Sequence, residues 1–258
     1  MELELTGRRA LITGASRGIG AAISVCLASE GCDVTLVART SQDLQAVATK
    51  ITDGSNVLVS TVAADLSVGE NIDRVLADAG QVDILVNNAG AIPSGSIEDI
   101  DESSWREAWD LKVFGYINLM RRVFKGMEKQ AGGVIINVIG VAGERPNSNY
   151  VAGGAGNAAL MAVTRALGAR SIENGVRVVG VNPGLIATDR MVTLLRSQAE
   201  HRFGDGERWT ELIDPRLPPG KPEHIADIVA FLASDRSSNT SGTIAVSYTH
   251  LRAHETLR

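Results

Sequence analysis

The sequence predicts an α/β fold, a doubly wound parallel sheet of about seven strands in one domain. Three observations predict it. Short apolar runs alternate with amphipathic runs along the whole chain, the pattern of a parallel sheet covered by helices on both faces. The first apolar run stops at Thr13 and opens into a turn with glycines at positions 14, 18 and 20. The 258 residues are 44% hydrophobic, enough for one full core, and contain neither an internal repeat nor a low-complexity linker.

The elements follow in order. Ala10 to Ile12 reads as a strand, and Ala21 to Glu30 as an amphipathic helix that closes on Gly31. In the turn between them Gly14 lets the chain leave the strand sharply. Gly18 removes a Cβ where backbone must approach a ligand, and Gly20 lets the helix lie close to the sheet. The helix start aims free N–H groups and the positive end of its dipole over the turn, which favours a phosphate. The spacing is G-x-x-x-G-x-G rather than the general G-x-G-x-x-G fingerprint, and a purely structural turn is the alternative. Asp33 to Ala38 is the second strand. Ala38 and Arg39 stand where an acidic residue would hold the ribose hydroxyls of NAD. Arg39, with Arg17 of the turn, instead suits a ribose 2′-phosphate, so NADP is favoured over NAD. The alternative is two solvated surface arginines.

Further strands are expected over Val57 to Ala63, Val82 to Val86, Gly133 to Ile139, Arg177 to Val181 and from Thr243 to Val246. Helices are expected over Leu44 to Ile51, Ile72 to Ala79, Trp105 to Lys125, Gly156 to Ser171 and Glu223 to Ala233. One long irregular stretch, Thr188 to Pro222, reads as a substrate lid rather than a linker. Its Met191, Leu194 and Leu195 have helical spacing, which fits core packing better than a pocket wall.

A net charge of −5 offers no footprint for nucleic acid. Two cysteines, Cys26 and Cys32, indicate neither a disulfide framework nor a metal site and suit a reducing cytoplasm. No apolar run reaches the roughly 18 residues of a membrane span, and Met1 to Gly7 is too short and acidic for a signal peptide. The expectation is a cytoplasmic protein with neither membrane nor nucleic-acid partners.

Together the landmarks resemble the short-chain dehydrogenase/reductase family. They are T-G-A-S-R-G-I-G at 13–20, Asp65 after the third strand, N-N-A-G at 87–90, P-G-L-I-A-T at 183–188 and the helical run at 221–235. The resemblance implies a single-domain Rossmann fold over residues 1–246. It implies a pyrophosphate at Gly14, Ser16, Arg17, Gly18, Ile19 and Gly20, and adenine near Asp65 and Leu66. Ribose would lie near Asn88, Ala89 and Gly90, and the nicotinamide amide near Ile186 and Thr188, after the Pro183-Gly184 turn. It also implies a homo-oligomer, a dimer or tetramer, packed through the two long helices and the last strand.

The chain departs from the family pattern at the catalytic positions. The family uses a Tyr acid/base, a Lys that lowers the Tyr pKa and binds ribose, a Ser that holds the carbonyl oxygen, and an Asn that anchors a relay water. Gly140 stands in the Ser place and Lys112 in the Asn place. The Tyr-x-x-x-Lys segment admits two registers. The helix register, preferred because Ala158 to Ala166 then matches without a gap, puts Gly153 at Tyr and Asn157 at Lys; anchoring on Tyr150 puts Gly154 at Lys. The helix register amounts to an exchange, with Lys112 as the cation, Asn157 as the ribose partner and Tyr150 reaching in from the neighbouring turn as acid/base. The alternative is a surface Lys, an Asn capping a helix and a Tyr packed in a loop.

The expected function is an NADP(H)-dependent oxidoreductase that interconverts a ketone and a secondary alcohol of small size. The alternative is a cofactor-binding protein with little or no redox turnover. Residues 247–258 are set apart: V-S-Y-T-H-L-R-A-H-E-T at 246–256 is similar to a translated sequencing adapter and is expected to be non-native, against a genuine polar tail.

Overall fold

The computed structural model describes residues 2–247. Of the segment expected to be non-native, only Ser247 lies among them. Seven strands form one sheet: β1 (Arg9–Thr13), β2 (Asp33–Ala38), β3 (Val59–Ala63), β4 (Ile84–Asn87), β5 (Gly133–Val138), β6 (Val176–Asn182) and β7 (Ile244–Val246). Their order is β3-β2-β1-β4-β5-β6-β7, and every pairing is parallel. The order reverses between β1 and β4. The chains leaving these two strands therefore part around a crevice at their C-terminal ends, where ligands bind in open sheets of this kind.

Adjacent residues of a strand face opposite sides of the sheet, and β1 shows it. Ile12 belongs to a core shared with α1 (Gly18–Ser29), α2 (Ser41–Thr52) and α8 (Pro222–Ala233), whereas Leu11 belongs to a core shared with α3 (Gly69–Ala79), α5 (Gly115–Lys129) and α6 (Val151–Ser171). Both faces of the central strands are thus dry, and Leu11, Ile12, Leu36, Leu85 and Ile136 have almost no exposed surface. Burial of such a side chain stabilises by about 1.5–3 kcal/mol. Arg177 of β6 is buried too, and donates to the carbonyls of Leu232, Ala233 and Ser234 at the end of α8, where a cation complements the helix dipole.

The structure corrects three element boundaries that bear on function. The helix expected at Gly156 begins at Val151, with Tyr150 as its N-cap residue. Glycines at 153, 154 and 156 lower its propensity without stopping it, because packing overrides propensity. The helix expected over Trp105 to Lys125 is α4 (Glu102–Trp109) continued by a π-turn (Asp110–Phe114) into α5. The lid is not irregular: α7 (Asp189–Phe203) occupies its first half, followed by a 3-10 segment at Gly206–Leu212. Thr188 caps α7 by accepting the Met191 N–H at 3.2 Å, and Gly204 ends it in the left-handed region at φ +69°. Leu195 of this helix is buried and Met191 and Leu194 are partly buried, as their spacing indicates. Among the described residues no helix is long and apolar enough to cross a membrane.

Candidate active site

The crevice is built around Thr13. Its hydroxyl accepts the N–H groups of Asn88 and Ala89 at 2.9 and 3.0 Å, tying the end of β4 to the end of β1. The Asn88 carboxamide then donates to the carbonyls of Thr13 and Gly14 at 3.0 and 3.3 Å. Gly14 turns the chain at φ +65°, and a Cβ there would meet Asn88 Nδ2 at 2.8 Å. A Cβ on Gly20 would lie 2.1 Å from the Gly14 carbonyl oxygen. The turn therefore closes only with glycine at both places. No side chain caps the start of α1, so the first-turn N–H groups of Gly18, Ile19 and Gly20 are left to a ligand.

The other residues expected to hold a cofactor lie around this turn or at the ends of the neighbouring strands. Ser16 and Ile19 are partly buried in it and Arg17 is exposed at its tip. Thr188 arches over it from the end of β6: its Cγ2 would lie 3.3 Å from a Cβ on Gly18. Pro183, Gly184 and the buried Ile186 lead to Thr188, and Ile186 bridges to Gly220, which ties together the two ends of the 188–222 stretch. Arg39 is exposed at the end of β2 and faces Asp65. Burial pushes the Asp65 carboxyl up, but hydrogen bonds from Ser67 and the Arg39 charge outweigh it and hold the group below its ordinary value. Leu66 beside it is buried.

Two of the three candidate catalytic residues, Lys112 and Asn157, come together at the C-terminal end of β5, while Tyr150 is the N-cap residue of α6 and bridges to Gly95. Lys112 lies in the π-turn, a feature frequent at functional sites. Its Nζ donates to the Ile139 carbonyl at 2.6 Å. Its stem crosses Gly90, where a Cβ would meet Lys112 Cδ at 2.8 Å. Asn157 is buried and points at the next residue: a Cβ on Gly140 would meet its Nδ2 at 2.9 Å. Its Oδ1 is buried with no hydrogen-bond partner among the described residues.

Tyr150 folds back over its own helix. A Cβ on Gly153 would lie 2.0 Å from Tyr150 Cζ and 2.1 Å from Cε1. The ring thus fills the space that any larger residue at 153 would need. It packs in a small cluster with Ile92, Ile100 and Ala152 and with Trp105 and Trp109. Trp109 Nε1 donates to the Ala152 carbonyl at 3.0 Å, which ties the π-turn to the start of α6.

Burial lowers the Lys112 ammonium to about 8, helped by the neighbouring Arg190 charge. Burial raises the Tyr150 phenol, while the charge of Arg190 and a hydrogen bond from it pull the phenol back. Arg190 is therefore part of the cluster, and nothing in its local sequence pointed to it. Thr13 also went unassigned, although it adjoins the first glycine of the turn.

Sheet order, glycine turn and crevice together define a Rossmann-type dinucleotide fold. The chain belongs to the short chain dehydrogenase family, whose profile it matches over residues 8–199. The L-xylulose reductase of Bos taurus is 30% identical over 247 residues, 94% of this chain and 96% of that protein. The acetoacetyl-CoA reductase of Shinella zoogloeoides is 32% identical over 242 residues, 92% of this chain and 95% of that protein. Among solved structures, L-sorbose reductase from Gluconobacter frateurii, in complex with NADPH and L-sorbose, superposes with a TM-score of 0.86 at 30% identity, covering 95% of this chain and 97% of that one.

Proposed function

We propose that this chain is an NADP(H)-dependent oxidoreductase that interconverts a ketone and a secondary alcohol through an exchanged active site, acting as a homo-oligomer in the cytoplasm. The observation that carries the reading is the convergence of Lys112 and Asn157 on the end of β5, in space left by Gly90 and Gly140, with Tyr150 at the start of α6 in space left by Gly153. The uncapped start of α1, with Arg17 and Arg39 exposed beside it, fits a dinucleotide carrying a 2′-phosphate. The unpartnered Asn157 Oδ1 fits a ribose hydroxyl donor.

When bound, the nicotinamide supplies the hydride. The residues of this chain handle the proton and the binding. In the reduction direction the Tyr150 hydroxyl gives its proton to the substrate oxygen, and Lys112, titrating at about 8, holds a second proton close to working pH. Asn157 orients the ribose, and α7 covers the substrate side. Gly140 supplies no hydroxyl to the substrate oxygen, and the loss of one such donor typically lowers the rate by about 10²–10³.

The test is NADPH and NADH binding by fluorescence, followed by NADPH oxidation with L-xylulose, L-sorbose and acetoacetyl-CoA. Binding of NADPH over NADH with turnover of a carbonyl supports the proposal. Binding without turnover across the panel favours the cofactor-binding alternative, and absence of binding overturns both.

A further inference from the structure

We infer that the Asn157 carboxamide is the hydrogen-bond donor to the substrate oxygen, set in the space that Gly140 leaves open. The inference rests on the reading of the chain as a carbonyl oxidoreductase, and it adds a catalytic contact to the ribose contact given to Asn157 there. It supplies the donor that residue 140 lacks.

Three observations carry it. The first is position. Asn157 Nδ2 lies 2.9 Å from where a Cβ on Gly140 would stand, nearer than its Cγ at 3.7 Å or its Oδ1 at 4.0 Å. The donor end of the amide therefore reaches the point from which a side chain at 140 would grow. A side chain there is strained, because Gly140 has φ +131°, and the buried Asn182 fixes that backbone by accepting the Gly140 N–H at 3.2 Å. The second observation is that the amide lacks partners. Asn157 is 2% exposed, its Oδ1 has no hydrogen-bond partner, and its Nδ2 donates to no described residue. Buried amides are otherwise paired, so this one is free for a ligand. The third is the packing that puts it there. A Cβ on Gly143 would meet the Ala158 backbone nitrogen at 2.6 Å, and one on Gly154 would meet the Ala142 carbonyl oxygen at 3.3 Å. α6 thus lies backbone against backbone on the turn after β5, close enough for the short Asn side chain to span from 157 to 140.

The arrangement suits a developing oxyanion. Lys112 Nζ donates to the Ile139 carbonyl, so an ammonium and an amide N–H flank consecutive residues, 139 and 140, just beyond β5. When the substrate carbon accepts a hydride, the π electrons of its C=O bond move onto oxygen. A fixed N–H aimed at that oxygen stabilises it more in the transition state than in the ground state. Asn157 gives up no proton in this step; the proton comes from the general acid. An amide has no charge to lose, so this donor is present at every working pH.

The test uses the full chain and two variants. Asn157→Asp keeps the shape and the acceptor and removes the N–H donor. Asn157→Ala leaves no buried charge and serves if the first variant does not fold. Reduction of L-xylulose, L-sorbose and acetoacetyl-CoA is followed at saturating NADPH, beside NADPH binding by fluorescence. Saturation removes any loss that comes from the ribose contact alone. In both variants kcat should fall by about 10²–10³, the worth of one such donor. The isotope effect with deuterated NADPH should rise as hydride transfer becomes limiting. In Asn157→Asp the NADPH Kd should stay within about threefold of the parent, because the acceptor remains. A kcat at saturation within about tenfold of the parent overturns the inference and leaves Asn157 to the ribose alone. If the parent binds NADPH and reduces no carbonyl, the functional reading falls and this inference with it. If the parent turns over and the variants do so nearly as well, only the role of Asn157 falls.

Discussion

Gly153→Ala should disable the site while leaving the fold intact. The added Cβ would lie 2.0 Å from Tyr150 Cζ and 2.1 Å from Cε1. Carbon atoms in contact settle at roughly 3.5–4.0 Å, so the hydroxyl end of the ring must retreat by about 1.5 Å or swing out of its cluster. What moves is the end of a side chain, not backbone. Alanine also improves α6, since replacing a helical glycine stabilises by up to about 0.5–1 kcal/mol, less in the first turn where Gly153 stands. This offsets part of the packing that the ring loses against Ile92, Ile100 and the two tryptophans. The net stability change should stay within about 1 kcal/mol, a shift of about 2–4 °C in Tm for a domain of this size. Turnover should fall by the worth of a positioned general acid, about 10²–10⁴. The assay is kcat/KM for NADPH-dependent carbonyl reduction beside a thermal melt and an NADPH titration. A Gly153→Ala protein that turns over like the parent while Tyr150→Phe does not would refute the reasoning, because the ring's place over residue 153 would then be irrelevant.

Other substitutions test other parts of the structure. Lys112 titrates at about 8 in the native state against 10.5 unfolded, because burial and then Arg190 disfavour its charge. The unfolded chain therefore binds more protons between these values, so parent stability rises with pH across that window. Lys112→Met removes the cost of the buried charge and loses one hydrogen bond to Ile139; it should gain about 2 kcal/mol at pH 7, with the gain vanishing near pH 10.5, measured by urea melts. A gain that does not change with pH would contradict the assignment. Gly20→Ala sets a Cβ 2.1 Å from the Gly14 carbonyl, so α1 must back away from the turn; calorimetry should show NADPH affinity lowered at least tenfold. Arg177→Met strips partners from three carbonyls at the end of α8 and from Ser237, and should destabilise by about 3 kcal/mol in denaturant melts. A loss under about 1 kcal/mol would show that those carbonyls find other partners.

How legible the protein was in its sequence depended on the range of each interaction. The strands and most helices were readable because apolar period and turn glycines are local signals. The Gly14–Gly20 turn was readable because a strand that stops at Thr13 and reopens as a helix needs those glycines in order. The lid misled: three prolines between 215 and 219 and mixed charge obscured a helix whose cap at Thr188 and stop at Gly204 are both present in the sequence. The early start of α6 was hidden by its three glycines, whose low propensity is outweighed by packing against Trp109 and Ile92.

The sequence by itself determined the sheet, its covered faces, the glycine turn and the family, because these follow from residue period and from motifs a few residues long. It also offered, under one of two registers, the reading that Lys112 and Asn157 stand in each other's expected places. Only the tertiary structure decided what those side chains touch. That Tyr150 lies over Gly153, that Lys112 crosses Gly90 to reach Ile139, and that Arg190 of α7 reaches the Ile92 carbonyl are contacts between surfaces set by helix phase and strand register. A helix turned by one residue moves each side chain by about 100°, so such meetings are encoded in the packing of the whole domain and in no single stretch of it.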